Sequence, residues 1–138
     1  MIIKEAIEKD LPSIMVLIRS ERADGREISC NQFLIAKDKD EIIGCARIKE
    51  LDNCLELGSL VVRPQYRNMG IGGKLVREIL IKDKRRPVYL LCLAQMASFY
   101  SRAGFNEIDI GLAPDTLKKE YSLVGSKISG KIIVMINP

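Results

Sequence analysis

Leu57-Gly58-Ser59-Leu60-Val61-Val62-Arg63-Pro64-Gln65-Tyr66-Arg67-Asn68-Met69-Gly70-Ile71-Gly72-Gly73 runs from an apolar stretch of strand length, past a proline, into a cluster of glycines. Beyond it Leu75, Val76, Ile79 and Leu80 recur on one helical face, and the pattern ends near Lys82. A helix start preceded by glycines presents unpaired backbone N–H groups and the positive end of a dipole, so it binds phosphate without side-chain charge. Gly70 and Gly72 remove side chains where a backbone must approach a ligand, and Gly73 lets the helix pack closely. Two familiar phosphate motifs do not fit. A Walker loop needs glycine at position 68 and Ser or Thr at 75, where Asn68 and Leu75 stand, and a G-x-G-x-x-G fingerprint begun at Gly70 also meets Leu75. The plain alternative is a structural turn into an ordinary helix.

Working outward, Ile2 to Ala6 predicts a short strand, with Asp10 as N-cap and Pro12 in the first turn of a helix carrying Leu11, Ile14, Met15, Leu17 and Ile18. Residues 20 to 30 are polar and predict a loop or short helix. Phe33 to Ala36 and Ile42 to Ile48 predict a hairpin turning through Lys37 to Glu41, and a second hairpin turns at Leu51-Asp52-Asn53 into a strand from Cys54 to Val62. After Pro87, Val88 to Leu93 is almost continuously apolar and predicts a central strand covered on both faces. A helix from about Gln95 to Arg102 stops at Gly104, strands follow over Phe105 to Ile110 and Lys131 to Ile136, and Pro114 to Gly130 is irregular and partly helical. This order predicts one α/β (α+β) domain over residues 1–138. Its mixed, mostly antiparallel, twisted sheet has six to seven strands, with helices on both faces.

The stretch from Leu57 to Gly72 resembles the acetyl-CoA-binding motif of GNAT N-acetyltransferases, Q/R-x-x-G-x-G/A after a strand, with Arg67, Gly70 and Gly72 at the matching positions. Ser98-Phe99-Tyr100-Ser101-Arg102-Ala103-Gly104-Phe105 is similar to the Y-x-x-x-G-F segment of the same family, at the right distance downstream. The resemblance covers about residues 1 to 110. It implies that the amides of Asn68, Met69, Gly70, Ile71, Gly72 and Gly73 hold the pyrophosphate. It further implies that the main chain of Leu60, Val61 and Val62 pairs with the pantetheine arm as an added strand. Acetyl-CoA is then the co-substrate, and Tyr100 the proton donor to the departing thiolate.

Composition narrows the chemistry. With 22 basic and 18 acidic residues the net charge is +4, spread along the chain, so no nucleic-acid partner is expected even at a pI near 8.9. The densest basic run, Lys82 to Arg86, follows a predicted helix, where cations suit the negative dipole end. The chain lacks histidine, and Cys30, Cys45, Cys54 and Cys92 have no C-x-x-C spacing, so no metal site is expected. Cysteines inside apolar runs point to a reducing, cytoplasmic compartment, and charges after three N-terminal residues give no membrane segment or signal peptide.

Acetyl transfer to an amine requires its free base, and a lysine-type ammonium is only about one part in 10³ deprotonated at neutral pH. Without histidine a carboxylate, a tyrosine or a water chain must take the proton. Glu56 is the first choice, on the strand before the glycine loop, where some members of the resembled family carry a general base; the competing reading is an outward residue alternating with Leu55 and Leu57. Glu50 and Asp52 are weaker candidates in a wet turn. Cys92 lacks a base that would make it a nucleophile and reads as a structural thiol. Tyr100 has its own competing reading, aromatic packing with Phe99 and Phe105.

The expected acceptor is a small-molecule primary amine such as an amino acid, because residues 20 to 30 are too short for a broad protein-binding groove. Ile108 to Pro114 with Tyr121 and Lys127 resembles the end of amino-acid N-acetyltransferases of the glutamate-acetylating kind, and Arg47 or Arg102 suits an acceptor carboxylate. The alternatives are a non-catalytic acyl-CoA sensor and an enzyme acting on protein N-termini or lysines. A homodimer is compatible with these residues.

Overall fold

The computed structural model describes residues 1–126 and 128–138. Its elements are β1 (Ile2–Glu5), α1 (Leu11–Ser20), β2 (Phe33–Asp38), β3 (Glu41–Glu50), β4 (Leu55–Val62) and α2 (Ile71–Lys82). They continue with β5 (Val88–Leu93), α3 (Ala97–Ser101), β6 (Asn106–Ile108), α4 (Asp115–Gly125) and β7 (Ile132–Asn137). The seven strands form one sheet in the order β1-β2-β3-β4-β5-β7-β6. Strands β1 with β2, β2 with β3, β5 with β7 and β6 with β7 pair antiparallel, while β4 and β5 run parallel through Leu55↔Val88 and Glu56↔Tyr89. The sheet is therefore mixed, as expected.

The chain forms two compact units, Met1–Ile48 with Gly58–Lys84, and Lys49–Leu57 with Arg85–Pro138. In the first, α1 buries Ile14, Leu17 and Ile18, spaced at i, i+3 and i+4, against Phe33, Ile35, Ile42, Cys45 and Val61. Each fully buried aliphatic side chain of this kind contributes about 1.5–3 kcal/mol. The buried face of α2, Ile71, Leu75, Val76, Ile79 and Leu80, repeats the same spacing. Gly44 makes room for it, since a Cβ there would stand 3.2 Å from Leu75 Cδ1. The β2–β3 hairpin turns in two residues, Lys39 and Asp40, with Lys39 in the left-handed region at φ 56°.

In the second unit β7, rich in β-branched residues, pairs along its whole length with β5. Ala113, Leu117 and Val134 form its buried cluster, with Tyr89, Leu91, Ile108 and Tyr121 packed against it. Three local expectations need correction. Strand β5 is central, yet Tyr89 and Leu91 to Leu93 are only half-buried, so it is not sealed on both faces. The strand expected over Phe105 to Ile110 shrinks to Asn106–Ile108, because the Asp109 carboxylate accepts a hydrogen bond from Gly111 N–H at 2.7 Å and opens a 3-10 turn. Asp10 occupies the N-cap position of α1 as expected, but its carboxylate accepts from Ile7 N–H at 2.9 Å, bracing the turn before the helix, and makes no capping bond to the helix itself.

The turn after α3 needs a glycine. Gly104 has φ +96°, and a Cβ there would sit 3.2 Å from Asn137 Nδ2, which itself donates to Ala103 C=O at 3.1 Å. Gly104→Ala is expected to cost about 1–2 kcal/mol of stability, read as a lower urea midpoint at unchanged slope. An unchanged midpoint would show that the turn relaxes freely.

Candidate functional site

The glycine segment forms the turn into α2. Pro64–Tyr66 make a 3-10 turn, Asn68 (φ 64°) and Gly70 (φ 79°) are both left-handed, and Gly70 is the N-cap of α2. The earliest α2 bond recorded runs from Lys74 N–H to Gly70 C=O at 3.1 Å, and amides N-terminal to it point out of the helix start. Residues 67–70 are exposed, Met69 at 67%, and a Cβ on Gly70 would meet nothing within 4 Å. Amides at a helix N-terminus beside open space can receive an anion such as a phosphate. Leu60 and Val62 are half-buried, while Val61 is in the core of the first unit.

Surrounding contacts hold this turn. Tyr66 O–H donates to Asp38 at 2.8 Å, a bond that pushes the phenol pKa up, with burial adding to it. Arg67 Nε donates to Val62 C=O at 3.1 Å, and its guanidinium also pairs with Glu21 beyond the end of α1. Arg67 is therefore anchored in the protein as well as exposed beside the amides.

Strand β4 carries an irregularity that sequence reasoning missed. Ser59 is left-handed at φ 51° within the strand, a conformation costing on the order of 1–3 kcal/mol that persists only where surroundings dictate it. Its hydroxyl donates to Asp24 C=O at 2.5 Å and accepts from Arg47 Nε at 3.0 Å. Arg47 is 0% exposed. Its guanidinium also reaches the carbonyls of Asp24, Arg26 and Glu27 and the Gln32 amide oxygen, and lies 5.4 Å above the Phe33 ring. An arginine spent on the 24–32 loop has no fork to offer a ligand, so Arg47 is withdrawn as an acceptor-carboxylate residue. Arg102 remains exposed.

In the second unit Glu56 is 6% exposed, which overturns the outward reading; Leu57 beside it is also buried. Lys49, itself 5% exposed, stands 3.6 Å from Glu56 and 3.3 Å from Glu120 on α4. Burial of charged groups this deep demands partners, and a basic residue at every second position of an otherwise apolar run, Arg47 and Lys49, was the signal available beforehand. Glu50 and Asp52 are exposed, as expected of a wet turn.

Tyr100 packs edge-on against Phe99 and Phe105, with ring centroids 4.9 and 6.1 Å away. Burial pushes its phenol well above the ordinary value, with the neighbouring Cys92 adding to the effect once ionised, so the proton a phenol ordinarily carries at neutral pH is held more firmly still. Aromatic packing and a retained proton coexist there. Cys92 lies 3.9 Å from Met135 Sδ, and burial lifts its thiol to about 11; Cys45 is lifted to about 12 by the same cause. Neither thiol is a nucleophile at neutral pH. Among the described residues no His, Cys, Asp and Glu group could hold a metal ion, and no helix is long and apolar enough to cross a membrane. Lys127, part of the tail resemblance, lies outside the described residues.

Comparison with known proteins agrees with this geometry. The family described as acetyltransferase (GNAT) domain matches residues 29–107, more than half of the 138. The chain is 30% identical over 118 residues to an amino-acid acetyltransferase of Buchnera aphidicola, covering 82% of this chain and 26% of that protein. It is 29% identical over 108 residues to an uncharacterized N-acetyltransferase of Chlorobaculum tepidum, covering 75% and 68% of the two. It thus spans about a quarter of the length of the Buchnera relative. Among solved structures, N-acetylglutamate synthase from Neisseria gonorrhoeae, complexed with coenzyme A and N-acetyl-glutamate, superposes with TM-score 0.79 at 22% identity, over 99% of this chain and 34% of that one. A Mycobacterium tuberculosis protein in complex with CoA and NLQ gives TM-score 0.77 at 19% identity, over 99% and 98%. The matched family model, together with the left-handed glycine turn at the start of α2, shows that this chain belongs to the GNAT acetyltransferase family.

Proposed function

We propose that residues 1–138 act as a single acetyltransferase domain that moves the acetyl group of acetyl-CoA directly to the primary amine of a small molecule, an amino acid being the favoured class. The observation that carries the reading is the open, left-handed turn at Asn68 and Gly70, whose exposed amides suit a pyrophosphate at the start of α2. The names of the relatives, amino-acid acetyltransferases, support the acceptor class. Four free cysteines accord with a cytoplasmic address.

Acetyl-CoA would supply an activated thioester. In the reading proposed, the amine nitrogen forms the new C–N bond as the C–S bond breaks. Glu56 receives the proton the ammonium must lose before attack, Tyr100 gives its phenolic proton to the departing sulfur, and the second proton that the nitrogen sheds on becoming an amide passes to water, from which the Tyr100 phenolate is reprotonated. Leu60, Val61 and Val62 offer main-chain groups to the pantetheine arm, and residues 67–73 hold the phosphates. The test is incubation of the purified chain with acetyl-CoA and a panel of amino acids and other amines, with free thiol as readout. Release on none of them, despite tight CoA binding, would sink the catalytic reading.

Tyr100→Phe isolates the proton donor. A thiol with an ordinary pKa near 8.5 departs readily as thiolate, so loss of the donor is expected to lower kcat only about tenfold and leave acetyl-CoA affinity unchanged. Equal loss of both would assign Tyr100 to packing with Phe99 and Phe105.

A further inference from the structure

Lys49 Nζ is hydrogen-bonded to Glu120 Oε1 at 3.3 Å and lies 3.6 Å from Glu56 Oε1, slightly long for a hydrogen bond, so the second contact is coulombic. The three side chains are 7%, 14% and 8% exposed respectively. Withdrawing three charges from water is costly, and apolar side chains of the same volume would fill the space with less penalty. Stability alone is therefore a poor reason for the cluster. Two carboxylates around one ammonium also carry a net formal charge of −1, a state that favours taking up one proton.

We propose that Lys49 is a positioning residue for Glu56: it orients the carboxylate and holds it ionised at neutral pH, while Glu120, reaching from α4, keeps Lys49 charged and moderates its pull. The proposal rests on the reading of Glu56 as general base. An opposite charge at this distance favours the ionised form of a carboxylate, and a second carboxylate nearby opposes it. Among the described residues, Lys49 from β3 stands 3.6 Å from Glu56, Glu120 from α4 stands 3.3 Å from the same lysine, Tyr89 shares the register position of Glu56 on β5, and the Cys54 thiol in the preceding turn feels the charges of both glutamates. Burial above all, and then the charges of Glu56 and Glu120, push the Cys54 thiol up against the lowering effect of Thr116, so it stays neutral. Lys49 is the cation that meets both carboxylates.

The test is a carbon-13 NMR titration of the glutamate carboxyls in the full chain, with the Glu56 signal assigned by its loss in Glu56→Gln. Lys49→Met is expected to raise the Glu56 midpoint by about 1 to 2 pH units, and Lys49→Arg to leave it near the wild-type value. Glu120→Gln, which retains the Lys49 charge and guards against misfolding of the methionine variant, is expected to move the midpoint downward. The acid limb of thiol release against pH is expected to move with the midpoint in both variants, a shift in turnover that a merely structural lysine would not impose. Midpoints unchanged in Lys49→Met and Glu120→Gln would overturn the proposal. Wild-type thiol release by Glu56→Gln would remove the base assignment instead, and the catalytic meaning of Lys49 with it, even if the midpoints shift.

Discussion

Glu56→Gln is expected to lower kcat/KM for amine acetylation by about 10²- to 10⁴-fold, the range typical of a positioned general base, with acetyl-CoA affinity unchanged. Glutamine keeps the volume of the buried side chain but cannot accept the ammonium proton. Folding should survive, because Lys49 keeps Glu120 as a carboxylate partner at 3.3 Å. The change therefore differs from stripping a buried charge of every partner, which costs about 3–5 kcal/mol. The wild-type rate should fall on the acid side as Glu56 protonates, and that limb should vanish in the variant. Thiol release against pH, with circular dichroism to verify folding, measures both. Wild-type activity in the variant would transfer the role to water or to another group.

Gly72→Val is expected to weaken acetyl-CoA binding by about 10²- to 10⁴-fold in a folded protein. Gly72 lies in the first turn of α2, just after the left-handed Gly70. A branched Cβ would crowd a pyrophosphate seated on those amides, and losing two hydrogen bonds to a charged group at about 1.5–3 kcal/mol each accounts for the range. Valine carries only a small helix-propensity cost, so α2 should form. Calorimetric titration with CoA gives the affinity and thermal unfolding the integrity. Retained affinity would end the assignment of this turn as the phosphate cradle. Tyr100→Phe should leave the same titration unchanged, which separates the anchoring of CoA from the proton step.

Periodicity made most of the fold legible. The repeat of Leu75, Val76, Ile79 and Leu80 predicted α2, and the turn residues between apolar runs predicted both hairpins, because a helix face or tight turn is encoded within a few neighbouring residues. The strand at Phe105 to Ile110 misled for an equally local reason: apolar residues alternate there, but Asp109 bonds the backbone of Gly111 and ends the extension. Tyr100 was visible through its motif. The burial that raises its phenol above the ordinary value was not, since that depends on neighbours in the fold.

By itself the sequence determined the glycine turn at the head of α2, the succession of strands and helices, the absence of histidine, and so the need for a carboxylate, a tyrosine or a water chain to move protons. Tertiary structure decided which charges meet. Arg47, equally suited on paper to a ligand carboxylate, is taken up by the 24–32 loop and by Ser59, whose left-handed backbone no residue pattern announces. Lys49 and Glu120 are 71 residues apart in the chain, yet their side chains meet, with Glu56 beside them. Backbone preferences act over a turn or two and can be read in order, whereas Coulomb interactions depend on separation in space and on the water excluded around them, which only the folded chain sets.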